Sequence, residues 1–132
     1  MSESKDWRDG VRVTRGASLA ESLGGPQGGR ATALEFAGTG GMQTWIGRVT
    51  MAPGARTSGH RHGRHEVALY VIAGAGRMRW GEQFEHEADV GPGDFIYFTP
   101  HVPHEEVNLS AEAALDFVVI RSDGERIFEK LA

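Results

Sequence analysis

The stretch Gly54-Ala-Arg-Thr-Ser-Gly-His60-Arg-His62-Gly-Arg-His65-Glu66-Val-Ala-Leu-Tyr-Val-Ile-Ala-Gly74 decides how the rest of the chain is read. Three histidines and a glutamate stand within residues 60–66, directly ahead of a continuous apolar run at 67–72. Apolar, β-branched and bounded by turn residues, that run reads as a buried strand. A strand alternates its side chains, so His60 and His62, two apart, can point to the same side. Two imidazoles converging on one point are half of a metal site, because neutral ring nitrogens suit zinc, copper, iron and nickel.

Working outward, short apolar segments alternate with turn signals in both directions. Strands are predicted at residues 11–14, 31–36, 42–51, 77–80, 95–98 and 114–121, with a further segment over 105–109. Gly38-Thr-Gly-Gly41 reads as a hairpin-like break, and Gly91-Pro-Gly-Asp94 as a strong turn. Residues 17–23 have room for one or two helical turns before a glycine-rich surface loop at 24–29, and 122–132 adds a strand or short helix. The chain divides into an N-terminal arm and glycine-rich loop over 1–30 and one β domain over 31–132. Many short strands and little helix predict an all-β sandwich or small barrel.

Composition agrees. With 132 residues the chain is one domain with room for a hydrophobic core. Its 19 glycines, about twice the usual share, fit a protein made of tight turns. A net charge of -4 with no basic stripe argues against nucleic acid or an anionic membrane as partner. The absence of cysteine excludes disulfides, thiolate metal sites and a cysteine nucleophile. No secretory signal is read at the N-terminus, and no stretch approaches the ~18 apolar residues of a membrane helix, so a cytoplasmic protein is expected.

Two motifs make the chain resemble the cupins, small β-barrels of the double-stranded β-helix (jelly-roll) type. Their first motif runs Gly, five residues, His-x-His, three or four residues, an acid, six residues, Gly. Gly54, His60, His62 and Glu66 match it, but seven residues separate Glu66 from Gly74. The second motif runs Gly, five residues, Pro-x-Gly, two residues, His, three residues, Asn. Gly93, His104 and Asn108 match, with Thr99 in place of the proline and His101 in place of the glycine. The resemblance covers residues 42–121 and implies a metal held by His60, His62, Glu66 and His104.

The extra residue before Gly74 leaves the acid open. Counting back from Gly74 puts Val67 at the acid's position, which in a regular strand turns His65 inward and Glu66 outward. A bulge between Glu66 and Gly74 restores Glu66. Glu66 is therefore the first choice for the fourth ligand and His65 the alternative. His101 reads as a rim residue, His86 as a solvated loop residue, Asp94 as a partner of nearby backbone amides, and Asn108 as a hydrogen-bonding support.

The resemblance implies one divalent transition metal (Fe, Mn, Zn, Ni or Cu), a small-molecule substrate, with Arg48 and Tyr97 as pocket residues, and a homodimer in which segment 11–14 is the candidate for exchange. A metal-dependent enzyme of dioxygenase or decarboxylase type is the expected function. A non-catalytic small-molecule-binding or sensing module is the alternative.

Overall fold

The computed structural model describes residues 8, 10–24, 28–39, 42–61, 63–122 and 129–130. Among these, ten strands are found: β1 (Gly28–Leu34), β2 (Trp45–Met51), β3 (His60–Arg61), β4 (Val67–Ala73), β5 (Gly76–Trp80), β6 (His86–Val90), β7 (Phe95–Phe98), β8 (His104–Asn108), β9 (Leu115–Arg121) and β10 (Glu129–Lys130). They form two five-stranded antiparallel sheets, ordered β1-β2-β9-β4-β7 and β10-β3-β8-β5-β6. The chain changes sheet at nearly every connection from β2 to β9, which is the winding of a double-stranded β-helix barrel. Among the described elements, helix consists of a 3-10 turn at Gly16–Leu19 that runs into α1 (Ala20–Leu23), and of one turn, α2 (Phe36–Thr39).

The alternation predicted from sequence is strict on β2 and β9. Trp45, Gly47, Val49 and Met51 face inward and pair in register with Arg121, Val119, Phe117 and Leu115. With Val67, Leu69 and Val71 of β4 and Phe98 of β7 they make the first sheet's inner face almost wholly apolar. Burying each large apolar side chain is worth roughly 1.5–3 kcal/mol, so this sheet carries most of the stabilisation. The second sheet is different. Among the described residues, and apart from Gly76 and Met78, its buried inward residues are polar: His60, His104, Glu106 and Asn108.

Local chemistry fixes the turns around this frame. Gly74 has φ of +101°, and a Cβ there would lie 2.5 Å from the Ala114 carbonyl oxygen, so only glycine fits. Asp94 accepts a hydrogen bond from the Gly91 amide at 2.7 Å, as expected of an aspartate in that turn. The buried Asn108 amide donates to the carbonyls of Met51, Ala52 and Ala113 and accepts from the Ser110 amide, tying β8 to the ends of β2 and β9.

Four sequence expectations change. Residues 11–14 form no strand; Val11 and Val13 are exposed, and the segment is fixed by the Thr14 hydroxyl donating to the Ala33 carbonyl. The segment opening at Gly38 is not a hairpin break, because the chain first makes α2, closed by the Thr39 amide on the Glu35 carbonyl. β1 starts at Gly28, since a Cβ on Gly29 would run into the Ser22 carbonyl and two glycines let the backbones approach. His86 lies on β6 rather than in a loop; its strand was hidden because charged side chains alternate along an exposed edge.

Candidate metal centre

His60 opens β3 and His104 opens β8, and the two residues are direct partners across the antiparallel ladder. Their rings meet edge to face, with centroids 4.3 Å apart. Each ring is held by the chain just before it. His60 Nδ1 lies 2.7 Å from the Ser58 carbonyl oxygen and His104 Nδ1 lies 3.0 Å from that of Val102. A carbonyl can only accept, so each Nδ1 carries the proton and, in the neutral ring, each Nε2 presents a lone pair.

Both lone pairs face one carboxylate. Glu106 follows His104 by two positions on the same strand and therefore shares its face. Its Oε2 lies 3.3 Å from His104 Nε2 and 3.9 Å from His60 Nε2, and ligand atoms of all three residues lie within 4.8 Å of one another. Two donors about 2.1 Å from an ion at tetrahedral angles stand about 3.4 Å apart, so the spacing suits a metal. All three side chains are buried. Burial pushes the His60 pKa below its ordinary value, against the opposing effects of Glu106 and the Ser58 carbonyl. A neutral, desolvated imidazole is the form that ligates.

The cupin domain's family model matches residues 47–121, more than half of the chain. The chain belongs to the cupin family. No match was found among curated proteins. Similar solved structures include an oxalate oxidase in complex with the substrate analogue glycolate, 19% identical with a TM-score of 0.69, covering 83% of this chain and 58% of that one. Oxalate decarboxylase from Bacillus subtilis is 25% identical with a TM-score of 0.65, covering 74% of this chain and 26% of that one. A conserved Klebsiella pneumoniae protein with a double-stranded β-helix domain is 19% identical with a TM-score of 0.67, covering 100% of this chain and 99% of that one. This cupin thus spans little more than half of the oxidase and about a quarter of the decarboxylase.

Of the ligands expected from the first motif, the described residues bring His60 to His104. His62 lies outside the described residues. Glu66 is placed elsewhere: it is exposed, and its Oε2 accepts a 2.6 Å hydrogen bond from the Tyr97 hydroxyl. Residues 67–71 alternate regularly ahead of an irregularity at Val71/Ala73, so Val67 faces inward and Glu66 outward. The expected bulge exists, but it falls too near the strand's end to turn Glu66 around. His65 is buried, with Nδ1 2.6 Å from the Ser122 carbonyl, the same tautomer-fixing contact that the other two histidines make.

Of the two expected pocket residues, Arg48 is displaced and Tyr97 is not. Arg48 alternates out of the core on β2 and ion-pairs with Asp116 at 2.6 Å. Tyr97, exposed on β7, borders an apolar cleft, and the hydrogen bond to Glu66 raises its pKa. Sequence reasoning passed over Glu106, although its spacing of two from His104 was the available signal. His101 takes φ of +68°, reproducing with a histidine the left-handed backbone that the motif assigns to glycine.

Proposed function

We propose that this cupin binds one divalent transition metal through His60, His104 and Glu106, and that it is an enzyme of dioxygenase or decarboxylase type acting on a small organic substrate. The observation that carries the reading is the pair of backbone-fixed imidazoles aiming their Nε2 atoms at one buried carboxylate. Such second contacts orient ligating histidines in metal sites generally. We add His62, from the sequence pattern, as a further ligand, and the buried His65, the alternative to Glu66, as a second candidate; Glu66 is left to its bond with Tyr97.

A metal bound there would act as a Lewis acid toward substrate oxygens, and iron or manganese could also activate dioxygen. The protein's own part is positional. Glu106 offsets the ion's charge, the Ser58 and Val102 carbonyls hold the ring protons, and Phe98 covers one face of His104. Support from comparison is limited to two similar structures being an oxalate oxidase and an oxalate decarboxylase.

Elemental analysis of protein purified without chelator tests the reading. About one metal per chain, lost in His60→Ala and Glu106→Ala but kept in Glu66→Ala, is expected; no metal would sink it. His62→Ala and His65→Ala then identify the remaining ligand. Loaded protein that binds small organic molecules and consumes none would favour the sensing module. We extend the proposal to a homodimer formed through the exposed Val11 and Val13 segment, which a monomer in sedimentation at micromolar concentration would exclude.

A further inference from the structure

A cleft of about 400 Å³ opens between β6 and β7, the edge strands of the two sheets. Its wall is formed by Met78, Trp80, Val90, Ile96, Phe98 and Val102, among others. The volume is within the usual range for small-molecule sites. Three of these residues connect it to the candidate metal centre. Phe98 stacks on His104, Trp80 is the ladder partner of His104, and Met78 is the ladder partner of Glu106.

None of the described side chains lining the cleft is charged; their polar atoms are the Tyr97 and Thr99 hydroxyls and the Trp80 indole nitrogen. Four arginines point away from the barrel interior. Arg77 and Arg79 leave the opposite face of β5 and pair with Asp89 and Glu105. Arg48 pairs with Asp116 and Arg56 with Glu105, whereas Arg121 is buried on the inner face of β9 and packs on Trp45 at 4.1 Å from its ring, outside the cleft lining. Arg30 is near enough to disfavour protonation of His60, but it reaches the site from β1, at the edge opposite the cleft. Bringing a carboxylate into an apolar wall without a partner is costly, whereas a flat ring gains contact with Trp80 and Phe98.

We infer that the cleft is the substrate entrance and that it takes an uncharged, ring-sized apolar molecule rather than a small dicarboxylate. This rests on the metal-centre reading for the chemistry at its inner end, while the ligand class follows from the cleft alone. The test is isothermal titration of the full chain with 4-methylphenol and with 4-hydroxybenzoate, alongside elemental analysis of the same samples. At least tenfold tighter binding of 4-methylphenol is expected. Ala88→Phe, which places a ring in the cleft from an exposed position, is expected to weaken it tenfold or more with metal content unchanged.

Tighter binding of 4-hydroxybenzoate, particularly if lost in Arg30→Ala, would overturn the inference and leave the metal reading intact. Binding of 4-methylphenol that ignores Ala88→Phe would also overturn it, as would no binding of either probe. Cleft binding by protein that holds no metal would support the ligand class and remove the metal reading instead.

Discussion

Phe98 lies almost flat against His104, with ring centroids 3.9 Å apart and planes 11° from parallel. One side chain thus seals the core, braces an imidazole and forms part of the cleft wall. Phe98→Ala is expected to cost about 3–5 kcal/mol of stability by leaving a cavity. Metal affinity should fall with it, because His104 loses the surface that fixes its ring. Phe98→Leu should recover most of the stability and less of the affinity. Denaturant unfolding together with metal titration checks both; equal loss of affinity in the two variants would confine the effect to ring stacking.

The two carboxylates near the histidine-rich segment should behave oppositely. Glu106→Gln is expected to weaken zinc or manganese binding by at least about tenfold, as loss of a charged ligand should. Glu66→Gln should leave it within about twofold, since Glu66 serves an exposed hydrogen bond to Tyr97. Competition titration against a chromophoric chelator reads both. The reverse order would return Glu66 to the metal.

Histidine at position 101 occupies backbone space that favours glycine. His101→Gly should stabilise the protein by up to about 1 kcal/mol, because the left-handed conformation costs other residues roughly 1–2 kcal/mol and glycine's flexibility returns part of that. Metal content should not change. A fall in melting temperature would mean that the exposed imidazole makes a contribution larger than its backbone cost.

Acid should destabilise the metal-free protein through His60. Its folded-state pKa is lowered from 6.5 by burial, so on acidification the unfolded chain takes up the proton first. Stability contributed by this group is complete above 6.5 and is lost as pH falls from there through the folded-state value. Urea midpoints of chelator-treated protein should be flat above that point and decline below it. His60→Gln should remove part of the decline; an unchanged slope would show that another group governs it.

Most of the architecture was legible because turn residues and two-residue alternation are local signals. The inward sets of β2 and β9 follow from spacing alone. His60 and His104 were legible from motif spacing, although only the fold makes them ladder partners. The carboxylate was not, because matching the first motif pointed to Glu66 while the extra residue before Gly74 shifted the register that decides its face. Arg48 illustrates the same difficulty: on a strict strand one position separates a pocket residue from a surface ion pair. β6 escaped notice since an exposed edge strand needs no apolar residues on its outer face.

Neighbouring glutamates on β8 have opposite surroundings. Glu105 points away from the centre and is held by Arg56 and Arg79, whereas Glu106 points into it beside His60 and His104. A one-residue slip that brought Glu105 to the position of Glu106 would turn His104 out of the centre and set it opposite the two arginines. The arginine clamp therefore works as a reading frame for the strand. Changes of residue type around the 101–103 turn should be tolerated far better than a change of its length, since a single inserted residue would dismantle the centre without altering any of its members.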